Sequence, residues 1–305
     1  MNHQAQKLRH GGENESAVSS EPDRIAAIPK ELRKLLRKRG RNLPTMVAKI
    51  NGADDPELIH KSRVNLRRLQ QYLPALFPKP QPKTVRKLRR TSRQVRKLLG
   101  EWRNHDIMIA QALEQEQKAR NREKREAWRA LRQFLIQGKA HQAALARRKL
   151  SKYDPAGFAY MMEEILGDSR DPDANQLSGH LKARIQRAED QWKAALNQAE
   201  QSLDNTDIHS FRVATKRLRY RLELAHEVGA VPSKSQIRRL EKLQEALGQW
   251  HDRQVLQETI TQALTRPDFQ PGDLAVSRTL VNDLEKGRKA HQRNLKKIFE
   301  LAREC

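Results

Sequence analysis

Two segments of the chain place a histidine ahead of basic residues at helical spacing. The residues are His60, Arg63 and Arg67 in the first segment and His209, Arg212, Lys216 and Arg219 in the second. On a helix of about 3.6 residues per turn, each set falls along one stripe of the surface. Imidazole, ammonium and guanidinium groups are hydrogen-bond donors, and the last two carry permanent positive charge. A row of such groups is suited to binding a polyanion.

Apolar residues accompany both basic stripes on a second face. They are Leu66, Leu69 and Leu73 in the first segment and Phe211, Leu218, Leu222 and Ala225 in the second. This spacing predicts two amphipathic helices, each of which buries one side and holds its cationic row on another.

A second pair of motifs extends the repeat. Residues 99–104 (LGEWRN) match residues 247–252 (LGQWHD), at nearly the same separation as the two histidine motifs. Two motifs that recur in one order about 150 residues apart indicate a duplicated unit. We therefore predict a disordered lead-in over 1–20, a first helical half over 21–150 and a second over 151–305. Trp102 and Trp250 are expected to be buried at equivalent helix junctions.

The formal net charge is +24, and it is unevenly distributed. Residues 30–103 hold 22 Lys and Arg against five Asp and Glu, and no acidic residue occurs between Glu57 and Glu101. Such self-repulsion opposes folding and indicates an anionic partner that relieves it. We predict further binding residues in two runs of basic residues. These are Arg86, Arg89, Arg90, Arg93 and Lys97 in the first half, and Lys234, Arg238 and Lys242 in the second. A solvated face is the alternative, and it is stronger for the second run, which includes Glu241 and Glu245.

The composition predicts a nearly all-helical protein, because Leu, Ala, Arg, Lys, Gln and Glu dominate. No apolar run approaches the roughly 18 residues of a membrane span. The single cysteine, Cys305, allows no disulfide framework or thiolate metal site, which favours a cytoplasmic location. We expect no cofactor.

Breaking residues predict where the helices begin and end. Asp54 or Asp55 should cap the first motif helix, and Pro74 should kink or end it. Gly100 should bend or end the helix that starts at Thr84. In the first half, the remaining predicted helices are 29–39, a short helix from Pro44 to 51–52, and 104–137, which Gly138 interrupts. A flexible link is predicted over 167–179. The predicted helices after it are 180–203, 207–228, 234–247, a segment that reaches 264, and 273–302.

These motifs resemble the CHAD domain, the conserved histidine α-helical domain. The resemblance rests on His-x-x-Arg-Val-x-x-Lys-Arg-Leu-Arg-Tyr over 209–220, followed by Leu243-Gln244, Leu247-Gly248 and His251-Asp252. The segment around His60, Arg63, Arg67 and Arg68 is similar to the N-terminal motif of that family, and residues 103–106 are similar to its Arg-Asp-x-Asp. The resemblance spans roughly residues 21–302.

Membership in this family implies two antiparallel helical bundles related by a pseudo-two-fold duplication, with long helices around a central basic groove. It also implies binding of inorganic polyphosphate. The chain departs from the family pattern at Gln70, where the first motif usually has Arg, and at Asn104, which replaces Asp. The first change weakens one phosphate contact, and the second leaves the local hydrogen-bond partner of Arg103 open.

Two other kinds of site compete for the histidines. A metal site is disfavoured, because Glu57 lies one turn before His60 whereas Thr206 takes that place before His209. His105-Asp106 and His251-Asp252 are similar to the dipeptide of metal phosphohydrolases, but they do not occupy equivalent positions in the repeat, and further ligands would be needed. We therefore expect a protein without catalytic activity.

The sequence thus predicts non-catalytic binding of inorganic polyphosphate, with possible association with polyphosphate granules. The alternative is non-specific binding of DNA or RNA, which the same charge would support. Aromatic residues make up only 5% of the chain, whereas proteins that bind single strands need stacking platforms. Whether the histidines contact phosphate or are structural stays open at this point, as does the oligomeric state.

Overall fold

The computed structural model describes residues 21–52, 55–78, 80–167, 173–230, 234–267, 269 and 274–305. These residues form ten helices and no strand: α1 Glu21–Gly40, α2 Leu43–Gly52, α3 Pro56–Leu76, α4 Lys83–Lys118, α5 Arg122–Leu150, α6 Pro155–Gly167, α7 Ala174–Ser202, α8 Asn205–Glu227, α9 Lys234–Thr265 and α10 Leu274–Arg303. The predicted all-helical class is confirmed. None of the described helices is long and apolar enough to cross a membrane. The predicted lead-in over 1–20 lies outside the described residues.

The two motif helices, α3 and α8, begin and end close to their predicted limits. Asp55 caps α3 by accepting hydrogen bonds from the backbone N–H groups of Glu57 and Leu58. Pro74 lies in the last turn of α3. Gly229, at φ 76°, follows α8 and allows the N–H of Ala230 to bond back to a carbonyl of the last turn. This is a Schellman-type end, which glycine accommodates without strain.

The apolar stripes of the motif helices pack into two different cores. The stripe of α3 joins a core built with residues of α1, α2, α4, α5, α6 and α7, to which α8 adds only Leu224 from its last turn. The stripe of α8 joins a second core with α7, α9 and α10. A third core fills the space between α4, α5, α9 and α10. Because α3 and α8 bury their apolar sides in separate cores, their basic sides are free to meet.

Several predicted helix limits were wrong. The helix α4 continues through Gly100 to Lys118, because Val95, Leu99 and Trp102 form one buried stripe across the glycine. The chain turns only at 119–121, where the Asn121 side chain caps α5, so the predicted helix 104–137 does not exist. Gly138 lies inside α5. Likewise α9 runs on past residue 247, since its buried stripe continues to Trp250.

At the N-terminal end, α1 begins at Glu21 and includes Pro29, which was expected to start the helix. A proline inside a helix removes one backbone hydrogen bond, yet the neighbouring Ile28 and Leu32 are fully buried. Burial of this apolar stripe offsets the missing bond. The proposed division at residue 150 and the internal duplication stay predictions; α6, from the second of those halves, packs into the core of α3.

Candidate functional site

The basic faces of α3 and α8 meet at the centre of the molecule. The Arg67 guanidinium on α3 donates a 2.8 Å hydrogen bond to the hydroxyl of Tyr220 on α8 and lies over the same ring, 5.5 Å from its centroid. Around this contact lie six cations with mutual electrostatic effects, which we call the central cluster: Arg63, Arg67, Arg96, Arg103, Arg212 and Lys216. Three helices, α3, α4 and α8, supply them.

Gly100 explains how Arg63 enters this cluster. A Cβ atom at position 100 would collide with the Arg63 guanidinium. Glycine inside a helix is less favourable than alanine by about 0.8–1.0 kcal/mol. Here it lets a guanidinium from α3 lie directly against the backbone of α4. The glycine that was expected to end a helix instead makes room for a cation.

Burial and mutual repulsion lower the pKa values of the central cluster. Burial, followed by the neighbouring Arg67, lowers the pKa of Arg63 to about 10. Burial, followed by Arg212, lowers the pKa of Lys216 to about 7. The carboxylate of Asp252 on α9 opposes these shifts at Arg212 and Lys216, but burial raises the pKa of Asp252 itself. The cluster therefore holds more positive charge than its protein neighbours compensate.

Several guanidinium nitrogens of the cluster are buried without a hydrogen-bond partner in the described structure. They are Nη1 of Arg63, Nε of Arg96 and Nε of Arg212. An unsatisfied buried donor costs about 1–3 kcal/mol, and more when it is charged. Arg103 has a partner, since it forms a 3.9 Å ion pair with Asp106. Asp106 thus supplies the carboxylate partner for Arg103 that Asn104 cannot provide.

The histidines occupy different environments in the two motifs. His209 is exposed on α8, and its ring lies 5.4 Å from that of His251 on α9. Burial and then Arg212 lower the pKa values of both rings, in His251 to about 4. Nδ1 of His251 is buried without a hydrogen-bond partner. His60 is exposed near the start of α3. The structure thus places an unanticipated imidazole, His251, beside the predicted His209.

A second concave region, which we call the basic groove, lies between α4, α7 and α8 at the C-terminal end of α3. Its volume is about 950 Å³; its lining includes the imidazole of His180 and the guanidiniums of Arg86, Arg89, Arg90, Arg93, Arg184, Arg187, Arg217 and Arg221. Electrostatic effects link Arg96 of the central cluster to Arg93, and Arg93 in turn to Arg89. The cluster and the groove are therefore electrostatically coupled, and we call them together the basic tract.

The C-terminal end of α3 anchors the wall that α7 contributes to this groove. The carbonyl oxygen of Pro74 accepts hydrogen bonds from Nε2 of His180, at 3.1 Å, and from Nη1 of Arg184, at 3.0 Å. Carbonyls in the last turn of a helix have no partner within it, and the helix dipole favours cations there. Burial, followed by Arg221, lowers the pKa of Arg184 to about 10. Arg184 is thus fixed in place but remains in a strongly positive environment.

The structure brings together most, but not all, of the residues predicted from the sequence. Within the tract lie Arg63, Arg67, Arg86, Arg89, Arg90, Arg93, Arg212 and Lys216, with His209 at its edge. Lys97 instead lines a separate small pocket with Lys149 and Lys152. Arg219 pairs with Glu223 at 3.0 Å and lies 4.0 Å from Glu241. The remaining four are exposed: His60 near the start of α3, and Lys234, Arg238 and Lys242 on the first turns of α9.

The α7 wall of the groove was not predicted from the sequence. His180, Arg184, Arg187 and Gln191 recur at helical spacing, which is the signal that could have found them. This spacing stands apart from both histidine motifs and from the basic runs beside them. Arg217 lies within the second motif and Arg221 directly after it, on a neighbouring stripe of α8. Arg96 and Arg103 lie on α4 but were not among the predicted binding residues.

A family model of the CHAD domain matches residues 26–261, more than half of the chain. The chain therefore belongs to the CHAD domain family. This agrees with the resemblance carried by the two histidine motifs.

Two solved structures share the fold. One is the crystal structure of the CHAD domain from the plant Ricinus communis, which is 23% identical, with a TM-score of 0.60 over 87% of this chain and 92% of that one. The other is PptA from Streptomyces chartreusis, which is 16% identical, with a TM-score of 0.62 over 89% of this chain and 99% of that one. Among curated proteins no significant match is found.

Proposed function

We propose that this protein binds inorganic polyphosphate along the basic tract and does not cleave it. The observation that carries the proposal is the set of buried, unpartnered guanidinium nitrogens on Arg63, Arg96 and Arg212. A phosphate chain carries negative charge and oxygen acceptors at every unit, so it can neutralise the cluster in which these unpartnered donors lie. Membership in the CHAD domain family is consistent with a polyphosphate-related function.

The mixture of cations in the tract fits a flexible chain of phosphates. Arginine offers a rigid fork of donors for two oxygens at once, whereas lysine is a compact charge that adapts to different positions. The tract has both, with Arg63, Arg67 and Arg212 acting electrostatically on Lys216 and a second set of guanidiniums along the groove. An inorganic chain has no base or sugar, so charge and hydrogen bonding are sufficient for its recognition.

The aromatic residues of the tract support polyphosphate over nucleic acid. Within the described structure, Trp102, Trp128, Trp192 and Trp250 are all buried. Tyr220 is half-buried and its hydroxyl is held by Arg67. Binding of single strands depends on aromatic faces on which bases stack, worth about 1–3 kcal/mol per base. A tract without a free row of such faces favours a ligand without bases.

Competition between ligands tests the proposal. A labelled long-chain polyphosphate is bound to the protein, and unlabelled polyphosphate, single-stranded DNA and RNA are added at equal phosphate concentration and near-physiological salt. We expect polyphosphate to displace the label at least about tenfold more effectively than either nucleic acid. Equal displacement by DNA would contradict the proposal. The length of the polymer after prolonged incubation with the protein, read on a gel, should be unchanged, and progressive shortening would overturn the non-catalytic part.

Association with polyphosphate granules would follow from such binding and belongs to the same proposal. A fluorescent fusion of the chain, expressed in a cell that stores polyphosphate, should concentrate at the granules. The same fusion carrying alanine at Arg63, Arg67, Arg212 and Lys216 should be dispersed.

A further inference from the structure

A separate cavity, which we call the lateral pocket, lies outside the basic tract and between α4, α5 and α9. Its volume is about 500 Å³, within the range of about 300–1,000 Å³ that is typical of small-molecule sites. Arg266 lines its edge and lies over the ring of Phe134, 5.4 Å from the centroid. Among the described residues of the lining, none is aspartate or glutamate. This combination disfavours a cationic ligand.

The walls of the lateral pocket are held by contacts around it. Lys139 on α5 forms a 2.9 Å ion pair with Asp106 on α4, which joins these two helices beside the pocket. Met108, Leu135 and Ala263 belong to the third core and are buried, so they give the pocket an apolar floor. A flat ring that lies on this floor loses apolar contact with water, which favours binding.

His105 presents a hydrogen-bond acceptor to the pocket. Its Nδ1 lies 3.2 Å from the carbonyl oxygen of Glu101, and because a carbonyl only accepts, Nδ1 carries the hydrogen. Nε2 of the neutral ring is then an acceptor. A Cβ atom at Gly138 would lie 3.7 Å from this nitrogen. The glycine therefore leaves Nε2 uncovered on the side of α5.

Thr259 on α9 provides a second acceptor. Its hydroxyl donates a 2.7 Å hydrogen bond to the carbonyl of Val255, which leaves the lone pairs of its oxygen for a ligand. Two such acceptors require a ligand with N–H or O–H donors, and they oppose an ionised carboxylate, which can only accept. The exposed rim adds amide groups that both donate and accept, from Asn104, Gln137 and Gln262.

We propose that the lateral pocket binds an uncharged heteroaromatic base with an amino group, of the kind found in a purine nucleoside. The ring lies on the apolar floor, and its amino group faces the acceptors of His105 and Thr259. The amides at the rim take the ring nitrogens and sugar hydroxyls, since asparagine and glutamine pair with adenine through one donor and one acceptor. This inference goes beyond the proposed function and does not rest on it, because none of these side chains belongs to the basic tract.

Adenosine is the probe, because it carries no charge and gains nothing from the cations of the basic tract. Titration calorimetry with the wild type should show one site, with a dissociation constant of about 0.1 mM for a ligand of this size. Inosine, in which a carbonyl replaces the amino group, should bind at least about tenfold more weakly, because a site built on hydrogen bonds rejects an analogue without the donor. Saturating long-chain polyphosphate should leave the affinity for adenosine unchanged.

Two variants test the location of the site. Gly138→Leu places a side chain beside Nε2 of His105 and should remove detectable adenosine binding. The double variant His105→Phe, Thr259→Val keeps side chains of similar shape and removes both acceptors, so it should lose the preference for adenosine over inosine. Both should keep the circular dichroism spectrum and the polyphosphate affinity of the wild type. The matched control is Gly179→Leu, at an exposed position on α7 where a Cβ meets no atom within 4 Å; it should bind adenosine normally.

The outcomes separate this inference from the proposed function. Absence of adenosine binding, equal affinities for adenosine and inosine, or displacement of adenosine by polyphosphate would overturn the inference and leave the proposed function in place. Unchanged adenosine binding in Gly138→Leu would place the nucleoside elsewhere and overturn it as well. If adenosine binds selectively but polyphosphate does not bind, the inference stands and the proposed function fails.

Discussion

The Arg67 guanidinium on α3 donates a 2.8 Å hydrogen bond to the hydroxyl of Tyr220 on α8. The same tyrosine ring lies under Arg219, with the guanidinium carbon 5.0 Å from its centroid. This contact joins the two motif helices at the point where their basic faces meet. It uses one donor of Arg67 and leaves the others available to a ligand, so the tyrosine fixes the direction of the guanidinium without neutralising it.

Replacing Tyr220 with phenylalanine tests this positioning role. The variant keeps the ring and removes the hydroxyl, so Arg67 loses its acceptor and its fixed orientation. A hydrogen bond of this kind contributes about 0.5–1.5 kcal/mol. We expect polyphosphate binding, measured by calorimetry, to weaken by about 3–10-fold, while the circular dichroism spectrum stays the same. Unchanged affinity would mean that the hydroxyl does not prepare Arg67 for the ligand.

Replacing Gly100 with alanine tests the close approach of Arg63. The added Cβ would lie too close to Nη1 of Arg63, so the guanidinium must shift from its present position in the central cluster. We expect weaker polyphosphate binding, by about tenfold if one charge-assisted contact is lost. The gain in helix propensity, up to about 1 kcal/mol, works in the opposite direction on stability.

Gly248→Ala is the matched control. Gly248 lies inside α9, and a Cβ there would meet no atom within 4 Å. This variant should gain stability, measured by chemical denaturation, and bind polyphosphate like the wild type. Equal loss of binding in both variants would contradict the role assigned to Gly100.

The free protein should become more stable when the charge on Lys216 is removed. The pKa of Lys216 is lowered to about 7 in the fold, by burial first, and is near 10.4 in an unfolded chain. Between these values the unfolded state binds more protons, so stability rises with pH. We expect Lys216→Met to unfold at a higher temperature at pH 7, by about 1–3 °C, and to lose this contribution to the pH dependence. A lower melting temperature would show that the ammonium stabilises the fold.

Binding of polyphosphate should be accompanied by proton uptake. A bound phosphate favours the ammonium form of Lys216 and raises its pKa from about 7. Affinity should therefore fall as pH rises above about 7, and the protons taken up are measurable by calorimetry in buffers of different ionisation enthalpy. Long chains are the right ligand, because the terminal phosphates also titrate in this range.

The same linkage applies to the imidazoles at lower pH. Burial and Arg212 lower the pKa values of His209 and His251 in the free protein, and a bound phosphate would raise them. Affinity should thus increase further as the solution becomes mildly acidic, and a His209→Gln, His251→Gln double variant should lose that increase. His60→Gln, at an exposed position on α3, should behave like the wild type in this range. An identical acid profile in all three proteins would mean that the histidines are structural.

The features that could be predicted from the sequence are those that depend on residue spacing within a single helix. The stripes beginning at Arg63 and at Arg212 could be read from spacing alone, as could the burial of Trp102 and Trp250, which are both fully buried. Their location at helix junctions was wrong, because α4 and α9 continue through them. Gly100 was expected to bend or end a helix, but it lies inside α4 and leaves room for the Arg63 side chain of α3.

What could not be predicted depends on contacts between distant segments. The α7 wall, with His180 and Arg184, becomes part of the site only because it binds the carbonyl of Pro74, more than 100 residues earlier. Lys97 lies outside the basic tract because it lines a pocket with Lys149 of α5. No local sequence pattern reveals that position. Arg219 has the spacing of the predicted basic stripe, but Glu223, one turn later, compensates its charge. Spacing alone therefore overestimated the part of Arg219 in anion binding.

A pair of charge-matched quadruple variants tests the central claim most directly. One carries alanine at Arg63, Arg67, Arg212 and Lys216; the other carries alanine at Lys118, Arg120, Arg122 and Arg148, which are exposed and lie outside the tract. Both lose three arginines and one lysine, so their net charges are equal. Affinity for long-chain polyphosphate is titrated from low to physiological salt. We predict a loss of at least about 100-fold and a much flatter salt dependence in the first variant, with binding close to wild type in the second. An equal loss in both variants would show that net charge, and not the basic tract between α3, α4, α7 and α8, holds the polymer.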